Sequence, residues 1–409
     1  MGFKILIVGG GLSGLTLANG LLKHGSDLDL EIEIYERDAK DLNREGITIL
    51  DASLITGYEI RMGEDGLTGL RTSLLDTEWN SVKSKLGVGG KAAPQICDLN
   101  FRSIFDLGSL LTYPESMPIQ RGRLRESLLV QPERRNLLHF SKTVTNYAIL
   151  REGPSERVQL FFKDGTSTVG DLVIAADGSK SILNEVTGLC NRYVTDVRCI
   201  TARINLTRPD IVRSLPPTLQ VGPVMLGLGG RSVCFSSLYL PVQDDGSSVY
   251  HKSSTLMWAL AVGAEFWKKT LGYDPEELGK SEKFDQQEWF ETALDLAEHW
   301  HSPALKSVLT ADPVASIGYG AFRSSVQPSL DWRMGVRGRL GADAAHDRIW
   351  FMGDSMHAMT RTLSFLFLVD LTLIVNSWKR NGRKSSSEGC WYPSCNAASD
   401  GERKLWICG

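Results

Sequence analysis

The first fourteen residues constrain the fold of this chain more than any other segment. An apolar run, Phe3–Val8, leads directly into Gly9, Gly11 and Gly14, which have the G-x-G-x-x-G spacing, and a helix-like segment follows. A continuous apolar run is typical of a parallel strand covered on both faces. The first glycine permits a tight turn, the second admits a pyrophosphate, and the third lets the helix pack on the strand. The segment therefore predicts a strand–turn–helix unit that binds a dinucleotide at the start of its helix.

A carboxylate follows the next apolar segment. The stretch LEIEIYERD is typical of a second strand, and it ends at Glu36, about 20 residues after the last glycine. A carboxylate in this place accepts hydrogen bonds from a ribose and repels a 2′-phosphate. The adenosine half of the ligand is therefore predicted to belong to FAD or NAD, and not to NADP.

Two later strand-like runs end in pairs of aspartate and glycine. One run ends at Asp177-Gly178 and the other at Gly353-Asp354. An aspartate at the carboxyl end of a strand lies on the ligand edge of a doubly wound sheet, where it can bind ribityl hydroxyls. Either pair alone is equally consistent with a plain turn, because turns commonly contain Asp and Gly. Both pairs together with the N-terminal unit favour FAD.

With these motifs in this order, the chain resembles the single-component FAD-dependent aromatic hydroxylases of the p-hydroxybenzoate hydroxylase type, in their fungal secondary-metabolism branch. The resemblance covers about residues 3–360. In this match Arg37 accompanies Glu36 at the cofactor. The segment IQRGRLRESLL is similar to the R-x-x-L-R-x-x-L helix of that family, which implies that Arg121 lies near the flavin and Arg125 near the pyrophosphate. The alternative for these arginines is a solvated helix face.

The resemblance also implies an activity. It is that of an FAD-dependent monooxygenase that uses NADPH or NADH, as a transient donor, and dioxygen. The implied reaction hydroxylates or epoxidises an aromatic or polycyclic secondary metabolite through a flavin hydroperoxide. The cofactor carries this chemistry, and the resemblance identifies no catalytic side chain. Two alternatives stay open: a non-catalytic or damaged flavoprotein, and a flavin-dependent halogenase, whose Trp-x-Trp motif this sequence lacks.

The predicted fold class is α/β, a Rossmann-like doubly wound FAD-binding domain with an interleaved, mostly antiparallel β-sheet substrate domain. The expected boundaries are residues 1–195 for the FAD-binding domain (with 75–100 contributing to it or to the substrate region), 196–312 for the substrate-covering sheet, 313–378 for the return to the FAD domain, and 379–409 for an atypical, disordered tail. The stretch DQQEWFETALDLAEHW has the spacing of an amphipathic helix. Four side chains of the sheet region could line a pocket or serve the core: Arg203, Trp258, Tyr319 and Arg323.

Composition excludes several classes of protein. The chain has 45 Lys and Arg against 48 Asp and Glu, so it lacks the basic excess of a nucleic-acid-binding protein. Seven scattered cysteines favour free thiols in a reducing, cytoplasmic compartment, and no metal site is predicted. A membrane anchor at residues 362–378 is a minor alternative, because Asp370 interrupts that apolar run.

The sequence departs from the family at two places. Near Arg44 the family's turn beside the flavin is split by an insert, so either Gly46 or Gly57 is the turn glycine; Gly46 is our candidate. After Met359 the family continues with one proline, two glycines and an asparagine. This chain has larger side chains there, which would crowd a ligand that needs bare backbone: Arg361, Ser364, Leu366 and Leu368. We predict a changed reading frame or splice site near Thr360, which sequencing of the transcript across this point would test.

Overall fold

The structure is a computed structural model that describes residues 2–40, 59–91, 93–109, 115–151, 155–229, 232–241, 254–271 and 286–358. The described strands are β1 (Phe3–Val8), β2 (Leu30–Tyr35), β3 (Glu59–Met62), β4 (Gly90–Lys91), β5 (Gln95–Cys97), β6 (Ser103–Asp106), β7 (Glu115–Gln120), β8 (Leu138–His139), β9 (Val144–Leu150), β10 (Arg157–Phe162), β11 (Ser167–Gly170), β12 (Leu172–Ala175), β13 (Arg192–Asn205), β14 (Val224–Gly229), β15 (Ser232–Tyr239), β16 (Thr255–Gly263), β17 (Val314–Ser325) and β18 (Ile349–Phe351). The described helices are α1 (Leu12–His24), α2 (Glu64–Ser73), α3 (Asp76–Lys83), α4 (Arg121–Arg134), α5 (Ile182–Val186), α6 (Pro209–Ser214), α7 (Pro217–Val221), α8 (Ala264–Leu271), α9 (Gln286–His299), α10 (Pro303–Leu309) and α11 (Trp332–Leu340).

Five of the described strands form a parallel sheet in the order β18-β12-β1-β2-β8. Val8 pairs with both Tyr35 and Ala175, and Ala175 pairs with Phe351, so four strands end at one level. The chain leaves β1 on one side through β2 and returns on the other side at β12. Ligands of open α/β sheets bind at such a reversal, beyond the carboxyl ends of the strands. We call this place the carboxyl edge.

Both faces of the parallel sheet are covered, which explains its continuous apolar runs. Successive side chains of a strand point to opposite faces. Ile7 and Ile34 pack with Leu15 of α1 and Leu128 of α4 on one face. On the other face, buried side chains of β1 and β12 pack against the antiparallel strands β9, β10 and β11. Full burial of one such aliphatic side chain contributes about 1.5–3 kcal/mol, so these two layers stabilise the sheet that carries the carboxyl edge.

A second, larger sheet has the order β17-β13-β16-β15-β14-β5-β6 and is antiparallel except between β14 and β5. Alternate residues of β13, such as Ile200 and Ile204, pack beneath the helical layer that includes α9. The opposite face meets the parallel-sheet half of the molecule. There the hydroxyl of Ser237 donates to Glu59 Oε1 at 2.6 Å, and so joins β15 to β3. The predicted α/β class with an interleaved, mostly antiparallel sheet is therefore confirmed.

The chain returns to the parallel sheet later than the expected domain boundary at residue 313. The sequence placed residues 313–378 with the FAD-binding domain, but β17 pairs with β13 in the large sheet, and only β18 joins the parallel one. β6 likewise pairs with β5 in the large sheet. The choice of a partner strand depends on tertiary packing more than on local propensity, which explains the difference.

Three predictions fall partly or wholly outside the described residues. They concern the turn at Gly46, the span 362–378 and the tail 379–409. Within the described parts of the chain, no helix combines the length and the apolarity needed to cross a membrane.

Candidate functional site

The three glycines of the loop between β1 and α1 have different surroundings. Gly9 has φ +112°, in the region that favours glycine, and a Cβ atom there would overlap the carbonyl of Ala176. A Cβ atom on Gly14 would overlap the carbonyl oxygen of Gly9. At Gly11, by contrast, a Cβ atom would meet no atom of the described residues within 4 Å. The protein's own packing therefore explains Gly9 and Gly14, whereas Gly11 borders open space that a ligand can fill.

The start of α1 is available to an anion. Gly11 is the N-cap and provides no side-chain cap, and the first turn contains no acidic residue. The first N–H groups of a helix have no partner within the helix, and they lie at the positive end of its dipole. The open space beside Gly11 is therefore suited to a phosphate.

Glu36 is buried at the end of β2, beside the glycine loop. Its Oε2 accepts the N–H of Gly10 at 2.9 Å, and its Oε1 accepts the N–H of Asp38 at 3.0 Å. Arg125 of α4 completes the group: its Nε donates to the carbonyl of Gly10 at 2.7 Å, and its guanidinium lies 3.6 Å from Glu36. Burial lowers the pKa of Arg125, and the Glu36 charge opposes that shift. These contacts fix the loop, while each carboxylate oxygen keeps a lone pair for a further donor.

Asp177 carries the strongest single indication of a ligand. Its Oδ2 accepts the N–H of Ile182 at 3.0 Å, whereas its buried Oδ1 has no hydrogen-bond partner among the described residues. Burial raises the pKa of Asp177, since its hydrogen bonds compensate the lost water only in part. Gly178 follows with φ +77° and open space beside it. An unpartnered buried acceptor next to open space is suited to a hydroxyl donor such as a ribityl chain.

The turn after β18 packs directly on the glycine loop. Gly353 has φ +58°, and a Cβ atom there would overlap the hydroxyl of Ser13. The side chain of the following Asp354 is exposed. The surrounding protein nevertheless keeps enough water away to raise the pKa of Asp354, and the positive charge of Arg121 opposes this shift. The Gly353-Asp354 turn thus lies beside both the glycine loop and the start of α4.

The first turns of α4 carry arginines on two sides. Arg121 and Arg125 are four residues apart and share a face of the helix. Arg121 interacts with Asp354, and Arg125 with Glu36, so this face is turned to the carboxyl edge. Arg123 points to the other side, because each residue of a helix turns by about 100°. Arg37, by contrast, is exposed and lies 3.7 Å from Asp38.

The structure separates the four side chains that could line a pocket. Trp258 and Tyr319 pack on the helix-covered face of the large sheet, where Tyr319 stacks on Trp289 with ring centroids 4.5 Å apart. Arg203 lies on the opposite face, because it alternates with Ala202 and Ile204 of that core. Arg323 interacts electrostatically with Arg192 near the Asp177 turn.

Sequence reasoning did not identify two side chains that hold the carboxyl edge together. Arg192 donates to the carbonyls of Ser179 and Ser181, and so clamps the turn after Asp177. The fully buried Asn184 donates to the carbonyl of Ser355 at 2.8 Å and to Asn191 Oδ1 at 2.8 Å. The bond from Asn184 to Ser355 joins residues that are far apart in the chain, and nothing in the local sequence of either side chain indicates these contacts.

Replacement of Asn184 by alanine is expected to loosen the carboxyl edge. Buried groups that lose a partner cost about 1–3 kcal/mol, so the free energy of unfolding should fall by that amount in urea titrations. Asn146→Ala is the matched control, since Asn146 is exposed and bonds only its neighbour's N–H among the described contacts. Equal stability of the two variants would contradict a bridging role for Asn184.

Comparisons with known proteins agree with this geometry. No family model matches the chain. It is 22% identical over 386 residues to the dual O-methyltransferase/FAD-dependent monooxygenase elcB of Phaeosphaeria nodorum, with 87% of this chain and 38% of that protein covered. It is 24% identical over 372 residues to the FAD-dependent monooxygenase tazP of Aspergillus terreus, covering 87% of this chain and 83% of tazP.

The extent of these matches varies. The chain spans 35–52% of the length of three of the curated relatives it matches, elcB among them. Among solved structures, an FAD-containing monooxygenase of Photorhabdus luminescens superimposes with a TM-score of 0.63 at 20% identity, covering 88% of this chain and 82% of that one. The chain has the fold of FAD-containing monooxygenases, and in sequence it is similar to the fungal FAD-dependent monooxygenases of secondary metabolism.

Proposed function

We propose that this protein binds FAD at the carboxyl edge and uses NADPH or NADH and dioxygen to add one oxygen atom to an aromatic or polycyclic small molecule. One observation carries the proposal. Motifs that are far apart in the sequence meet around the open space at Gly11 and around Asp177 Oδ1, neither of which is in contact with a partner among the residues that the structure describes. The names of the relatives support the same cofactor and reaction.

The proposed roles of the side chains follow from their positions. The N–H groups of Gly11 and the first turn of α1 would bind the pyrophosphate, with Arg125 beside them. Glu36 would accept a ribose hydroxyl. Asp177 Oδ1 would accept from the ribityl chain. Arg121 and Asp354 lie near each other at the start of α4, where they would border the flavin.

Bound FAD would supply the redox chemistry, taking a hydride from NAD(P)H and activating dioxygen. The protein's part is to bind, to orient and to exclude water. The large sheet would cover the substrate with its helix-free face. There Thr201, Ala259 and Gly318 lie side by side in neighbouring strands, and such small side chains leave room for a flat ring. A mostly apolar surface with few polar groups is typical of small-molecule sites.

The decisive test of the activity is isotopic. Purified protein is supplied with FAD, NADPH or NADH, a panel of hydroxylated aromatics and ¹⁸O₂. A monooxygenase consumes one NAD(P)H and one O₂ per product, places one ¹⁸O atom in the product and releases the other in water. Substrate-stimulated NAD(P)H oxidation with one labelled atom per product molecule is the expected result.

The same samples separate the alternatives. Bound flavin without NAD(P)H oxidation would favour the non-catalytic flavoprotein. NAD(P)H oxidation that yields only hydrogen peroxide would contradict oxygen transfer to these compounds. A chlorinated product formed in the presence of chloride would support the halogenase.

A further inference from the structure

A groove of about 610 Å³ lies where the chain passes between the two halves of the molecule. The segment that leads from α5 into β13 forms one side, and the segment that leads from β17 into α11 forms the other. These segments bond each other, since the N–H of Val326 donates to the carbonyl of Asn191 and the amide of Asn191 donates to the carbonyl of Val326, both at 2.8 Å. Among the described residues that line the groove, none is assigned to the cofactor. We call this place the crossover groove.

The walls of the crossover groove are suited to a flat ring. Tyr193 and Trp332 line it together with Val326 and Pro328. Tyr193 is 49% exposed and Val326 is 61% exposed, although both side chains are large and mainly apolar. The volume lies within the range of about 300–1,000 Å³ that is typical of small-molecule sites, which are lined mainly by apolar and aromatic groups. The groove therefore has the size and the surface of a site for an aromatic compound.

The crossover groove is also positively charged. Arg192 and Arg339 line it, and the described lining residues include no acidic one. Arg339 is exposed, and its described contact is with the carbonyl of Gly335 at 3.3 Å. The side chain of Arg192 is only 7% exposed and lies 3.5 Å from Glu185, while its Nε has no hydrogen-bond partner among the described residues. An anionic group on the ring would thus meet guanidinium groups, which bind oxyanions through charge-assisted hydrogen bonds.

Two residues of the crossover groove also hold the carboxyl edge. Asn191 donates to the carbonyl of Met356 at 3.0 Å, in the turn after β18. Arg192 donates to the carbonyls of Ser179 and Ser181, in the turn after β12. A ligand that orders these two side chains would therefore order both of the turns that carry the aspartate–glycine pairs.

We propose that the crossover groove is a second small-molecule site, that it takes an aromatic anion such as an aromatic carboxylate, and that its occupancy strengthens FAD binding. The coupling to FAD rests on the proposed function, whereas binding in the groove does not. Its physical basis is conformational entropy: once the first ligand has ordered the two turns, FAD pays less to order them. The groove would thus act as an effector site for the enzyme.

The first test locates a probe in the groove. The probe is 8-anilinonaphthalene-1-sulfonate, an aromatic anion, and its neutral counterpart is N-phenyl-1-naphthylamine, which has the same rings without the sulfonate. Wild type should bind the anion about tenfold more tightly, because the sulfonate gains charge-assisted hydrogen bonds. Cys190 lines the groove and is exposed, so the bound anion should slow its alkylation by iodoacetamide several-fold. Mass spectrometry of the peptide that contains Cys190 reads this position separately from every other cysteine.

Substitutions of exposed side chains separate the charge from the wall. Arg339→Gln should weaken binding of the anion about tenfold and leave that of the neutral amine unchanged. Tyr193→Ser should weaken binding of both compounds, because it removes an aromatic wall. Arg208→Gln is the matched control for the charge, since the side chain of Arg208 is 67% exposed, pairs with Asp210 and does not line the groove.

The second test measures the coupling by FAD titrations with and without a saturating concentration of the anionic probe. Wild type should bind FAD about fivefold more tightly with the probe, and FAD should raise the affinity for the probe by the same factor, because binding linkage is reciprocal. Without the probe, Arg339→Gln should bind FAD as wild type does.

Several results would overturn the proposal. They are unslowed alkylation of Cys190 in wild type, equal affinity for the two compounds, a preference for the anion that survives in Arg339→Gln, and an FAD affinity that the probe lowers or leaves unchanged. Release of the probe by NADPH would assign the groove to the electron donor and so contradict an effector site.

The two tests also separate this inference from the proposed function. Wild type that binds no FAD but shows protection of Cys190 would contradict the proposed function and support the groove as a binding site. Wild type that binds FAD and leaves Cys190 unprotected would contradict the groove alone.

Discussion

Replacement of Gly11 by alanine is expected to weaken flavin binding strongly without unfolding the protein. Its backbone angles, φ −81° and ψ −174°, are accessible to any residue, and a Cβ atom would meet no atom of the described residues within 4 Å. An alanine N-cap should lower the free energy of unfolding by no more than about 1 kcal/mol. The same methyl group would enter the space proposed for the pyrophosphate. The affinity for FAD should therefore fall on the order of hundredfold, or about 2.8 kcal/mol.

Gly14→Ala is the matched control for this prediction. Its Cβ atom would overlap the carbonyl oxygen of Gly9, so the loop or the helix has to shift. Overpacking of this kind costs about 1–3 kcal/mol, which urea titration of the flavin-free protein would detect. The two variants thus separate a glycine that the ligand requires from one that the fold requires. Equal FAD affinity of Gly11→Ala and wild type would contradict the placement of the pyrophosphate.

Replacement of Asp177 by asparagine is expected to change stability and affinity in opposite directions. Burial holds the pKa of Asp177 above its ordinary value, so the folded state disfavours the ionised carboxylate more than the unfolded state does. At neutral pH the buried charge costs stability, and its removal should raise the free energy of unfolding of the flavin-free protein by about 1–3 kcal/mol. Flavin affinity should fall at least roughly tenfold, because the acceptor proposed for the ribityl chain becomes a neutral amide.

The pH dependence gives this prediction a definite sign. Since the folded pKa is raised, the penalty is absent below the unfolded pKa of about 4, develops as the pH rises from there to the folded value, and is complete above it. The stability difference between Asp177→Asn and wild type should therefore vanish in acid and grow toward neutral pH. Asp343→Asn is the control: its neighbour Arg151 lowers the pKa of Asp343, so this variant should gain no stability at neutral pH. A gain of equal size in both variants would contradict the role of burial at Asp177.

Much of the carboxyl edge could be predicted from the sequence, because its elements are local. The strand Phe3–Val8, the glycine spacing and the start of α1 lie within one short segment, and the structure has the expected strand and turn. Glu36, Asp177 and Asp354 were placed at strand ends by their position after apolar runs. In a parallel sheet such ends meet at one edge, so the sequence also indicates that these residues lie near one another.

The contacts between distant elements could not be predicted in this way. The partner strand of β17 and the bridge from Asn184 to Ser355 join residues far apart in the chain. Arg123 occupies an unspecified position of the arginine helix motif, and only the structure shows that it contacts Tyr239 of the large sheet. The same holds for Arg203, whose face is determined by the register of β13 with β16. A single sequence carries no signal for these pairings.

The segment after Thr360, where the sequence departs from that of the resembled family, follows the Gly353-Asp354 turn and lies outside the described residues. The carboxyl edge assembled from Gly11, Glu36, Asp177 and Asp354 is expected to bind FAD. The most direct measurement is a titration of the purified wild-type chain with FAD, followed by absorption and by flavin fluorescence. We expect saturation at one FAD per chain, with a shifted flavin spectrum that persists through gel filtration and is lost in Gly11→Ala. An unshifted spectrum and complete loss of flavin on gel filtration would contradict the account.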